Sequence, residues 1–175
     1  KDEKVHIFFF FCGQGLATLL LLEKITGLEG SIEDVTLIEP SHIALQRASY
    51  IIGCKLPETN IHSINKKLDD LEEDELQIDT GKMNLHLFSN ILDIEGFDQF
   101  GLFNKILKNG GTHYFIAVSN DRNCYGGTAR LESLFKTFIN LEQYGGETLS
   151  VSHMQFERFN DVKNMNHIYF CLKVE

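Results

Sequence analysis

The residues best suited to chemistry in this chain are Cys12-Gly13-Gln14-Gly15, set at the end of an apolar run, and the carboxylate Glu39, 24 positions after Gly15. Glycines let a backbone approach a ligand closely and take up positive φ, and a helix that follows them offers free N–H groups and the positive end of its dipole. A carboxylate at the end of the next strand can accept two hydrogen bonds from a ribose diol. The pattern predicts a nucleotide-type binding unit. The competing reading of Glu39 is a solvated turn residue before Pro40. A dinucleotide fingerprint would continue as G-x-G-x-x-G, but Thr18 stands at the third glycine position, which disfavours NAD and FAD.

The elements that must position these residues are legible around them. The stretch 5–23, VHIFFFFCGQGLATLLLLE, reads as a buried strand, a tight glycine turn and a helix over 16–26. A second strand is predicted over 34–38, short, β-branched and apolar as in a parallel sheet covered on both faces. Ser41 is a predicted N-cap for a helix to about residue 52, with Ile43, Ala44, Ala48, Ile51 and Ile52 as its apolar stripe and Gly53 as its stop. Further strands are expected over 60–64, 84–89 and 112–119, with helices over 96–108 and 128–144. The core faces of those two helices are predicted as Phe97, Phe100, Phe103, Ile106 and Leu107, then Leu131, Leu134, Phe135, Phe138 and Leu141. The last thirty residues hold two strand-like runs, 149–159 and 167–174, with no helix between them, which suits an antiparallel hairpin. In such an open α/β sheet the ligand site lies at the carboxyl ends of the strands, near the point where strand order reverses.

Length and composition exclude several classes. With 175 residues and no repeat or linker, the chain is expected to be one domain over 1–175, large enough for a single sizeable core. A net charge of −9 argues against broad electrostatic binding to nucleic acid or to an anionic membrane. The longest apolar runs fall far below the roughly 20 residues of a membrane helix. Lys1-Asp2-Glu3-Lys4 is charged and precedes no cleavage pattern, so a secretory signal is not expected, and the missing initial methionine suggests a piece of a longer protein. Cys12, Cys54, Cys124 and Cys171 form no CxxC pair and indicate neither zinc nor disulfides; buried free thiols and a cytoplasmic location are expected. The acidic residues from Asp69 to Glu75 read as a solvated face rather than a metal site, and His86 and His113, inside strands, as core residues rather than bases.

The segments FFFFCGQGLATLLLLE, VTLIEPSHIALQRA and LHLFSNILDIEGFD, with the terminal pair SVSHMQFERF and HIYFCLKVE, resemble the class I S-adenosylmethionine-dependent methyltransferases over nearly the whole chain. The resemblance implies a three-layer, Rossmann-like α/β fold with a mostly parallel seven-stranded sheet and a C-terminal antiparallel hairpin. It implies S-adenosylmethionine as a small-molecule cofactor. Cys12, Gly13, Gln14 and Gly15 would then lie against the methionine and ribose parts, Glu39 on the ribose hydroxyls, and Pro40 and Ser41 near the adenine. Asp69, or its neighbour Asp70, would meet the adenine amino group, and Ser89 and Asn90 would line the methyl-transfer site. Ser89-Asn90-Ile91-Leu92 lacks the Asn/Asp-Pro-Pro-aromatic signature of amino-group methylation, so the resemblance implies no substrate; contacts to one are sought first at Asp121, Arg122, Asn123 and Tyr125.

The chain departs from that family at two positions. Phe9 stands where members commonly carry an acidic residue, and Phe11 where they carry the first glycine of the loop. Both changes weaken cofactor binding if Phe11 projects into the pocket. Two functions are therefore expected to compete: a methyltransferase, or a binding domain that keeps the fold and has lost cofactor affinity.

Overall fold

The computed structural model describes residues 3–24, 29–121, 127–140, 150–160 and 166–175. Seven strands form one sheet: β1 (Val5–Phe10), β2 (Ile32–Ile38), β3 (Asn60–Ile64), β4 (Met83–Ser89), β5 (Thr112–Asn120), β6 (Val151–Asn160) and β7 (Asn166–Val174). Their spatial order is β3-β2-β1-β4-β5-β7-β6. The first five pair in parallel, and β7 runs antiparallel to both β5 and β6. The described helices are α1 (Leu16–Lys24), α2 (His42–Lys55), α3 (Gln99–Leu107) and α4 (Gly127–Asn140).

All six residues of β1 are buried because the strand is paired on both edges and covered on both faces. Its side chains alternate between two cores. Phe8 and Phe10 join Ile38, Phe88 and Phe115 with Leu102, Phe103 and Ile106 of α3 and Leu131, Leu134 and Phe138 of α4. Val5, Ile7 and Phe9 join Val35 and Leu37 with Leu22 of α1 and Leu45, Ala48 and Ile52 of α2. Each fully buried aromatic or branched side chain contributes about 1.5–3 kcal/mol. The four consecutive phenylalanines are thus shared between the layers: Phe8 and Phe10 on one face, Phe9 on the other, and Phe11 beyond the strand end.

The structure shows the expected three-layer architecture and terminal hairpin, and corrects several local expectations. β2 begins at Ile32, two residues before the predicted start of the strand, because Val5 of β1 pairs with Ile32. Gly53 does not stop α2, which continues to Lys55 and is closed by Leu56, whose N–H donates to the Ile52 carbonyl at 2.8 Å. Its buried face is Leu45, Ala48 and Ile52, whereas Ile43 is 63% exposed. α3 starts later than expected, capped by Asp98, and Leu102 rather than Phe100 enters the core. Of the cysteines expected to be buried, Cys12 and Cys171 are half-buried, Cys54 is exposed, and Cys124 lies outside the described residues. The predicted ends of the helices 16–26 and 128–144 and the core residue Leu141 fall partly or wholly outside them as well. Among the described residues no helix is long and apolar enough to cross a membrane.

Candidate functional site

Strand order reverses between β1 and β4, so the loops that follow them open a crevice at the carboxyl edge of the sheet. The loop after β1 turns through three left-handed residues, Phe11 (φ +59°), Gly13 (φ +53°) and Gly15 (φ +83°). It is tied to β2 by the Cys12 N–H, which donates to the Ile38 carbonyl at 3.2 Å. The two glycines serve different ends. A Cβ on Gly15 would stand 2.8 Å from the Cα of Ala48, so this glycine lets α2 pack against the loop. A Cβ on Gly13 would meet nothing within 4 Å, so the backbone there faces open space.

Glu39 leaves β2 with its N–H donating to the Ile64 carbonyl of β3 at 3.1 Å. Its side chain is 5% exposed, far from the solvated turn residue that was its alternative. One carboxylate oxygen accepts the Gly13 N–H at 2.9 Å and the other accepts the Ser41 N–H at 3.0 Å. A single carboxylate thereby fixes the glycine loop to the entry of α2. Asn65, which the sequence reading missed, clamps the same corner by donating to the Glu39 and Pro40 carbonyls at 2.9 Å each. Its position directly after a predicted strand was the available signal. Ser41 is the α2 N-cap, as expected, and accepts the Ala44 N–H at 3.4 Å. Gln14 is exposed and accepts from the Arg47 guanidinium at 3.2 Å.

A cleft of about 300 Å³ lies beside this loop, lined by Phe11, Pro40, Lys67, Leu68, Asp69, Ile91, Ile94, Glu95, Gly96 and Phe97. Pro40 and Asp69 were expected at the site; the segment after β4 was expected to contribute Ser89 and Asn90 instead. Asp69 accepts the Asp98 N–H at 2.8 Å, so one of its oxygens holds the start of α3. Asp70 is exposed and does not line the cleft. Ser89 and Asn90 are exposed at the end of β4. Asn90 is left-handed (φ +54°), a conformation asparagine tolerates. Its N–H donates to the Val118 carbonyl at 2.8 Å and its side-chain oxygen accepts the Asn120 N–H at 3.1 Å, which staples β4 to β5. Ile91 and Leu92 then turn into the core.

Burial, reinforced by the nearby Glu39 carboxylate, pushes the Cys12 thiol up to about 12, so it is no nucleophile at neutral pH. His86 and His113 are buried within the sheet, away from the crevice, and the ring nitrogens facing each other are 3.0 Å apart. Asp121, at the end of β5, pairs with Arg158 of β6 at 3.6 Å; Arg122, Asn123 and Tyr125 lie outside the described residues. Among the described residues no group of three or more His, Cys, Asp or Glu is placed to hold a metal ion.

No protein-family model matches this chain, and no curated protein does. Solved structures match over its whole length at low identity. An rRNA methylase from Streptococcus thermophilus aligns with 99% of the chain and 89% of its own length, at 15% identity and a TM-score of 0.58. A SAM-dependent methyltransferase from Aquifex aeolicus aligns with 98% of the chain and 84% of its own, at 14% identity and 0.53. Magnesium protoporphyrin IX methyltransferase from Synechocystis, solved with bound SAM, aligns with 98% and 70%, at 11% identity and 0.54. These likenesses run through every layer described above, the terminal antiparallel hairpin included. The chain therefore has the fold of the class I S-adenosylmethionine-dependent methyltransferases.

Proposed function

We propose that this protein is a methyltransferase that uses S-adenosylmethionine. The observation that carries the reading is the conjunction at Gly13: open space above a left-handed glycine, whose N–H is held by a buried carboxylate at the end of the next strand. Those residues fit the group. Gly13 and Cys12 would hold its central part through backbone, and Glu39, with lone pairs left over from Gly13 and Ser41, would accept from the ribose hydroxyls. Pro40, Leu68 and Ile91 supply apolar walls on the adenine side, with Asp69 at their edge. Ser89 and Asn90 are exposed at the end of β4, where an acceptor would approach. When bound, the cofactor supplies an electrophilic methyl group. The protein's own task is then positioning, through a loop and strand ends held rigid by Glu39, Asn65 and Asn90.

One observation favours the second reading, a binding domain of the same fold without activity: Phe9 is packed into the core and Phe11 lines the cleft, so neither position supplies the carboxylate or the glycine that the resemblance implies there. Melting with and without S-adenosylhomocysteine separates the two. Binding stabilises the protein by about 2.7 kcal/mol at 100 times the dissociation constant. An unchanged melting temperature at millimolar ligand refutes the methyltransferase reading. The free thiols of Cys12 and Cys54 favour a reducing compartment, the cytoplasm, and the net charge of −9 favours an acceptor other than bulk nucleic acid.

A further inference from the structure

Phe11 is a bulky residue in the left-handed region (φ +59°), where a side chain other than Gly, Asn or Asp is an outlier. Such strain persists only where the surroundings compensate it. The side chain, 40% exposed, lines the cleft with Pro40, Leu68, Ile91 and Phe97. The backbone on either side is anchored independently, Phe10 by the β1 ladder and Cys12 by the Ile38 carbonyl, so the strain is confined to one residue. The cleft that remains, about 300 Å³, lies at the lower bound of small-molecule sites, which span about 300–1,000 Å³.

We infer that Phe11 is an affinity-determining gate on the cofactor site, its ring lying in the cleft and having to withdraw before the adenosine part of S-adenosylmethionine can enter. The inference rests on the cofactor reading above. Two conformations of one residue are opposed: ring inserted with strained backbone, or ring withdrawn with relaxed backbone. The inserted form is the favoured one and the withdrawn form the minor one, and ligand entry selects the withdrawn form. The penalty of withdrawal is subtracted from binding, so the apparent dissociation constant exceeds the intrinsic one by the reciprocal of the open fraction. A chain with Gly at this position has no ring to withdraw and no strain to relax.

Calorimetric titration of the wild-type protein, Phe11→Gly and Phe11→Ala with S-adenosylhomocysteine tests this, each variant first shown to melt cooperatively. Both variants are expected to bind at least tenfold more tightly than the wild type. Equal or weaker binding by both, with the wild type binding measurably, overturns the gate and leaves the cofactor reading intact. Absence of binding in all three overturns both. A wild type that fails to bind, beside a glycine variant that does, overturns the gate too, because the ring then blocks the site without withdrawing.

Discussion

Substituting alanine at Gly15 and at Gly13 isolates what tertiary packing demands from what a ligand demands. Both glycines are left-handed, so each variant bears a similar backbone cost, about 1–2 kcal/mol, and each gains a similar amount from the stiffer unfolded chain, about 0.4–1 kcal/mol. These contributions largely cancel between the variants. What remains is the contact: at Gly15 the new methyl stands 2.8 Å from the Ala48 Cα and 3.0 Å from its Cβ, whereas at Gly13 it meets nothing within 4 Å. Because the Ala48 Cα is backbone, no rotamer change relieves the clash, and α2 must shift at an overpacking cost of about 1–3 kcal/mol. Gly15→Ala is therefore expected to be less stable than Gly13→Ala by about 1–3 kcal/mol. With a urea dependence of about 2 kcal/mol/M, the unfolding midpoints should differ by about 0.5–1.5 M. Ligand affinity should run the other way, with folded Gly13→Ala losing at least tenfold because its methyl occupies the open space. Midpoints that coincide, or a Gly13→Ala protein that binds S-adenosylhomocysteine as the wild type does, refute the division of roles.

Two further outcomes follow from buried titratable groups. Burial lowers His6 to about 4 and holds His86 and His113 below the usual imidazole value, so below pH 6.5 the unfolded chain takes up protons that the folded one refuses. Stability should hold above pH 6.5 and fall as pH drops from there, His6 alone accounting for about 3 kcal/mol by pH 4 at about 1.36 kcal/mol per unit. Urea midpoints measured from pH 7.5 to 4.5 check this, and a flat profile contradicts it; Asp34, lowered to about 2, acts only below that window. Among the described thiols, exposed Cys54 should react first with a disulfide reagent at pH 7.5 and Cys12 slowly, as peptide mass spectrometry would register. Rapid labelling of Cys12 would contradict the half-buried, protonated thiol.

Strand pairing explains why the architecture was legible and some boundaries were not. Period-2 alternation and glycine punctuation are local signals, and β3 and the terminal hairpin follow from them closely. The start of β2 does not, because Ile32 becomes a strand residue only by pairing with Val5, a partner 27 positions away. The α2 stripe was right at Ala48 and Ile52 and misread at its start for a similar reason. Both Ile43 and Leu45 suit an apolar face, and only the direction from which β1 and β2 cover the helix selects Leu45.

The sequence by itself determined the strand, glycine turn and helix at residues 5–24, the acidic strand end at Glu39 and the antiparallel close of the sheet, since each is written in adjacent residue types whose backbone preferences are intrinsic. Only the tertiary structure decided that Gly15 serves Ala48 while Gly13 faces open space, that Glu39 is buried with both oxygens engaged, and that Phe9 enters the core while Phe11 lines the cleft. The physical reason is that backbone preference is a property of a residue and its neighbours. Burial, steric contact and hydrogen-bond partners arise between segments distant in sequence, and exist only once the sheet has brought them together.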